Sequence, residues 1–159
     1  MKRKAFIAII LLCALLLAAC GAQGGETVQP GADLTAIYDG VAQKAELPEM
    51  VAVPESRFER VFGLDAADCA QAVITVCADS VRVDEIWLVE AVDTAAAGRV
   101  AEAARARLEQ RSAEMKSYLP DQYAVLEQAQ LIEKGTYVAM FVSPQAAAMA
   151  ETFLAAIAR

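Results

Sequence analysis

Histidine is missing from all 159 residues, and with it go Ser-His-Asp and Cys-His nucleophilic sites, His-ligated zinc and proton shuttling by imidazole. Positive charge is scarce as well. Fourteen Lys and Arg stand against 21 Asp and Glu, a net of −7, which disfavours nucleic-acid binding through a basic surface. The sequence has no nucleophile elbow, no phosphate-cradling glycine loop and no metal-ligand spacing, so it offers no catalytic residue, no metal site and no cofactor site. The hydrophobic fraction of 57% overstates what can be buried, because 35 residues are alanine, a helix former with little side-chain surface. The length suits one ordinary domain.

What is present begins with an address. Met1-Lys2-Arg3-Lys4 is followed by an uncharged run from Ala5 to Ala19, the basic and apolar segments of a secretory signal. A spanning helix needs about 20 apolar residues, and here Gly-rich polar sequence follows directly. Leu17-Ala18-Ala19-Cys20 resembles a bacterial lipobox, with cleavage between Ala19 and Cys20 and a diacylglycerol on the Cys20 thiol. Residues 1–19 are then a signal peptide, and Cys20 with residues 21–32 forms a lipidated, flexible tether of about 20 Å typical span. Residues 33–159 form the domain. Losing Lys2, Arg3 and Lys4 leaves 11 basic and 21 acidic side chains, 11 − 21 = −10. Lipid rather than protein surface must hold so acidic a body at the membrane.

Apolar periodicity predicts helices from Asp33 towards Pro48, over Pro54 to Phe62, from Ala95 to Leu119 behind a Thr94 cap, over Asp121 to Gln128, and after Ser143-Pro144. Strands are predicted at 72–78 and 81–91, joined as a hairpin at Asp79-Ser80, and at 136–142, with a short edge strand conceivable near Met50 to Val53. The expected fold is α+β, a small and mainly antiparallel sheet of three to four strands with helices packed on it, in the order α-α-β-β-α-α-β-α. Of the two faces of the second strand, the Trp87 face carries fewer charges than the Ile86–Leu88 face and is expected inside.

The lipobox and polar tether, the strand pair Ala72 to Ala91 with Asp84-Glu85-Ile86 and the long Ala/Arg/Glu helix together form a pattern. So does Tyr118-Leu-Pro-Asp-Gln-Tyr123 leading to Lys134-Gly135-Thr136-Tyr137-Val138. This pattern resembles bacterial lipoproteins of domain-of-unknown-function family 4358, which are typical of Firmicutes. The resemblance implies a surface lipoprotein of a Gram-positive cell and carries no activity with it.

The remaining chemistry-bearing groups each have a plain structural reading. Cys69 and Cys77 are two separate thiols, or a disulfide if the chain doubles back before Ala72; extended residues 72 to 77 alone span about 16 Å, against about 5.5–6 Å between bridged Cα atoms. Asp65 with Asp68, Asp84 with Glu85 and Glu90 with Asp93 read as solvated charge. Within a strand Asp84 and Glu85 point to opposite faces, too far apart to share an ion. Arg99, Arg107 and Arg111 belong to the wet side of the long helix, interleaved with Glu102, Glu109 and Glu114. Ser112 and Lys116 lie one turn apart but lack the desolvated pocket that a Ser-Lys dyad needs. Gly135 and Tyr137 could touch a ligand at a turn, although a lone glycine more simply relaxes the approach to a strand. Asp84, Glu85, Gly135 and Tyr137 are thus the candidate contacts.

The expected function is that of a lipid-anchored domain on the extracytoplasmic face of the cell membrane, held there by Cys20. It acts without catalysis, on an envelope protein or a small ligand and not on nucleic acid. The alternatives are an envelope hydrolase using Asp84 or Glu85, which requires a concave site holding two carboxylates or one whose pKa is strongly raised, and a structural spacer.

Overall fold

The computed structural model describes residues 28–158; the signal segment, Cys20 and the Gly-rich stretch up to residue 27 lie outside the described residues. Asp33 opens the first helix, α1 (Leu34–Ala42), its Oδ1 accepting from the amides of Thr35 and Ala36 at 2.9 and 3.1 Å, which satisfies two of the free donors of the first turn. A short strand β1 (Met50–Ala52) and a 3-10 turn lead into α2 (Phe58–Phe62), which stops at Gly63 with φ 64°. The amides of Gly63 and Leu64 bond back to the carbonyls of Glu59 and Phe58, a left-handed helix end that glycine adopts without strain.

Strand β2 (Cys69–Cys77) runs antiparallel to β3 (Glu85–Ala91), followed by the long helix α3 (Thr94–Met115), α4 (Pro120–Leu126), β4 (Gln130–Lys134), β5 (Tyr137–Val142) and α5 (Ala146–Ile157). The five strands form one antiparallel sheet in the order β1-β2-β3-β5-β4. The α+β class and the antiparallel sheet agree with expectation, while the strand count and order are corrected to five strands in α-β-α-β-β-α-α-β-β-α. The conceivable strand near Met50 is the edge strand β1. The strand not anticipated is β4, a five-residue edge strand too short to show its alternation. Asp93, not Thr94, caps α3, its Oδ1 accepting from Ala96 N at 2.7 Å.

Helices cover both faces of the sheet. On one face, Trp87, Val89, Val138 and Met140 pack under α2, α3 and α4; on the other, Ile86, Leu88, Tyr137 and Phe141 pack under α1 and α5. The choice between the two faces of β3 therefore dissolves: Trp87 is fully buried as expected, and so are Ile86 and Leu88. Every residue of β3 and β5 is buried, the condition of strands covered on both sides. Ala96, Ala97, Ala101 and Ala104 line the inner face of α3. Such small side chains let a helix lie close to a sheet, which gives the alanine-rich composition its use in packing.

Residues 28–32, the last part of the expected tether, lie against the domain. Val28 bridges Ala158, Gln29 N donates to Ile157 O at 2.9 Å, Gly31 N donates to Glu90 Oε1 at 2.8 Å, and Ala32 N donates to the Tyr137 hydroxyl at 3.0 Å.

Candidate functional site

The chain leaves β2 at Cys77 and enters β3 at Glu85 through a loop, residues 78–84, wider than the tight hairpin expected at Asp79-Ser80. The loop is shaped by its own polar groups. Asp79 Oδ1 accepts from Val81 N and Asp79 O from Arg82 N, both at 3.1 Å, while Cys77 N donates to Asp84 O at 2.9 Å. Helix α4 steadies it from outside, Gln122 Oε1 accepting from Val83 N at 3.1 Å. Between this loop and the C-terminal half of α3 lies a cleft of about 210 Å³. Val76, Cys77 and Glu85 of the strands line it together with residues 79, 80 and 82–84 of the loop, Arg107 and Arg111 of α3 and Val61 of α2.

Glu85 is locked. It is buried, accepts from Trp87 Nε1 at 2.7 Å, and receives Arg107 through Nε at 3.1 Å and Nη2 at 2.9 Å. The Arg107 guanidinium also lies 5.4 Å from the centre of the Phe62 ring, which itself meets Trp87 edge-on at 4.7 Å. A buried, two-pronged Arg–carboxylate pair with a third donor leaves little unsatisfied, and it fixes the helix against the sheet.

Asp84 is different. Its side chain is 2% exposed, one oxygen accepts from Arg82 Nε at 2.9 Å, and the other, Oδ1, has no hydrogen-bond partner among the described residues. A buried carboxylate oxygen without a donor is costly, and here it belongs to a residue lining a cleft.

Three expectations are corrected by this geometry. Asp84 and Glu85 are not solvated charge but two of the few buried acidic residues, Glu90 being a third. Strand alternation does not separate them, because Asp84 precedes β3, and both line one cleft. Arg107 does not belong to the wet side of α3: its side chain is 15% exposed. Arg99 does keep to the surface, bonded to Asp68 through Nε at 2.9 Å, as does the Arg105–Glu133 pair. Arg111 also leaves the wet side, its side chain 17% exposed between Glu114 and the carbonyl of Arg82.

The other two candidate contacts lie elsewhere. Tyr137 pairs with Glu90 and Glu85 with Val142 in the β3–β5 ladder, so about 17 Å of strand separates Tyr137 from the cleft. Tyr137 is fully buried, its hydroxyl donating to Gln29 O at 2.7 Å and accepting from Ala32 N. Burial pushes its ionisation up, as suits a neutral fastener. Gly135 sits in the β4–β5 turn with φ 63°, and a Cβ there would lie 2.9 Å from Val28 Cγ2. Both residues secure the N-terminal segment. Sequence reading missed Arg82, Arg107 and Cys77 as cleft residues. The signal for Arg107 was spacing, since it falls seven residues after Val100 and three after Ala104, on the buried stripe.

Fold and cleft together define an antiparallel α+β domain with helices on both faces and a polar cleft at the β2–β3 loop. The chain belongs to the family described as a domain of unknown function, DUF4358, whose model matches residues 43–143, a span that contains the whole cleft. Neither the curated proteins nor the solved structures hold a match to this chain.

Proposed function

We propose that the protein is a lipid-anchored binding domain of the bacterial cell envelope, held on the extracytoplasmic face by Cys20, with the cleft between the 78–84 loop and α3 as its site. The observation that carries this reading is Asp84: a buried side chain at a cleft, one oxygen fixed by Arg82 and the other buried without a hydrogen-bond donor among the described residues. A spacer has no need of such a group, since nothing offsets its desolvation until a donor arrives. The hydrolase alternative needs two carboxylates free to hold and release protons. Glu85 uses its oxygens on Arg107 and Trp87, and Asp84 holds Arg82 with one oxygen while its other is buried, so neither of these two carboxylates is free for proton transfer.

The placement of the N-terminal segment suits an anchored binder. Residues 28–32 dock at the Glu90–Tyr137 end of β3 and the cleft opens at the Glu85 end, so a tether arriving at residue 28 joins the domain at the end away from its site. Tethering raises the effective concentration of such a domain towards other anchored molecules.

Two substitutions test the reading. Cys20→Ser should abolish lipid labelling and membrane partition, and retained labelling would remove the anchor. Asp84→Asn should reduce cellular function in proportion to loss of partner capture in native membranes. Complete loss of function with stability and capture intact would favour the hydrolase instead.

A further inference from the structure

Three polar side chains stand in a row across the sheet at the end away from the cleft. Gln71 of β2 is the register partner of Glu90 of β3, and Glu90 that of Tyr137 of β5, so all three project from one face of the sheet. Residues 28–32 lie across this row. Glu90 accepts from Gly31 N at 2.8 Å with one oxygen and from Gln71 Nε2 at 3.1 Å with the other, while the Tyr137 hydroxyl donates to Gln29 O and accepts from Ala32 N.

The hold is light. Among the described residues every hydrogen bond of the segment runs through its main chain, and it has no charged side chain. Only Val28 and Ala32 pack on the core, and Gln29, Pro30 and Gly31 are exposed. Few buried contacts and exposed main-chain bonds mark segments that open without global unfolding. At Asp33 the character changes, because α1 starts there with a capped first turn and with Leu34 and Val41 buried.

Departure of the segment strands no buried group. Gln71 keeps one Glu90 oxygen, and the Tyr137 hydroxyl, which lies beside the Glu90 carboxylate, can turn its proton from Gln29 O to the oxygen that Gly31 gives up. The row thus has two complete sets of hydrogen bonds, one with the segment and one without it.

Resting on the reading of Cys20 as the anchor, we infer that residues 28–32 are a releasable strap, latched by Gln71, Glu90 and Tyr137, that gives the domain two reaches from the membrane. Latched, the free tether is residues 21–27, at most about 28 Å from Cys20 to Val28. Released, it runs to Asp33 and gains up to about 17 Å. Tension on a domain bound at its cleft enters at Val28, the outermost residue of the strap, and peels the strap from that end. A partner held farther out is reached by release.

The first test is amide exchange on the full chain in detergent micelles, in urea below the unfolding transition. Gln29, Gly31 and Ala32 should exchange about a hundredfold or more faster than Trp87 and Met140, at a rate that urea leaves unchanged. Tyr137→Phe removes two bonds from the latched form and one from the released form, and should speed strap exchange about tenfold. A disulfide from Val28→Cys with Ala158→Cys, across a bridged pair, should slow it to the rate of the core. Strap exchange only together with the core, or unchanged in a folded Tyr137→Phe variant, overturns the latch; wild-type rates decide if that variant does not fold. The second test pulls the chain between residue 20 and Ser80, on the lip of the cleft. A reversible extension of up to about 17 Å, absent in the disulfide form, should precede unfolding. Lipid on Cys20 without this extension keeps the anchor and overturns the strap, whereas the extension without lipid supports the latch and removes the anchor.

Discussion

Arg107 is the side chain on which the geometry of the cleft turns. Its guanidinium joins α3 to the first residue of β3, and Phe62 stacks against it from α2, so three elements meet at one cation. Removing one partner of a buried pair leaves the other charge stranded. Arg107→Met should therefore cost about 3 kcal/mol in urea unfolding, whereas Glu85→Gln with Arg107→Met should recover much of it, because the amide oxygen still accepts from Trp87 and no charge is left behind. Additive losses in that cycle would show that the two residues are not coupled. A second residue carries a chemical prediction. Burial, reinforced by the charges of Asp68, Glu55 and Asp65, pushes the Cys69 thiol up to about 11. At pH 8 about one thiol in a thousand is then thiolate, the reactive form, so iodoacetamide should modify Cys69 slowly, with a rate that climbs steadily towards pH 11. Rapid labelling at neutral pH would contradict this. Cys69 and Cys77 are both free thiols at opposite ends of β2, so the open question of a bridge closes in favour of two separate thiols.

At the scale of elements, the β4–β5 turn and the segment 28–32 form one fastening. Gly135 holds φ 63° with no room for a methyl group beside Val28. Gly135→Ala should cost about 1–2 kcal/mol and speed amide exchange at Gly31 and Ala32, whose bonds to Glu90 and Tyr137 hold the segment down. Unchanged exchange would mean that the segment is held without this turn. The elements differ in how far the sequence discloses them. Asp33, Gly63 and Pro120 punctuate helices by local chemistry, and the start of α1, the end of α2 and the start of α4 were legible for that reason, whereas α1 stops at Ala42, well before Pro48. Strand β5 was legible because Val138 to Val142 is apolar throughout. Strand β4 was not, because five residues with Glu133 and Lys134 among them carry no clear period and take their conformation from the neighbouring β5. Glu85 and Glu90 read as solvent-facing because their partners are distant: Arg107 is 22 residues away and Gly31 59, separations that composition and local spacing do not encode. The same distance hid the cleft. Asp84 and Glu85 were singled out as neighbours, but nothing local placed Arg107 and Arg111 opposite them.

For the whole molecule, the two ends of β3 divide the work. The Glu90–Tyr137 end takes the incoming N-terminal segment, and the Glu85 end holds the cleft, with a core covered on both faces between them. Among the described residues no helix is long and apolar enough to cross a membrane; the proposed account places attachment at Cys20. The division of ends can be tested directly by photo-cross-linking in native membranes, placing a photoreactive residue either at Ser80, exposed on the lip of the cleft, or at Gln29, exposed on the docked segment. The account predicts that the Ser80 probe captures a specific ligand or partner, that Asp84→Asn diminishes the capture, and that the Gln29 probe does not capture the same species. Capture from Gln29 with none from Ser80 would contradict it and move the working surface to the opposite end of the sheet.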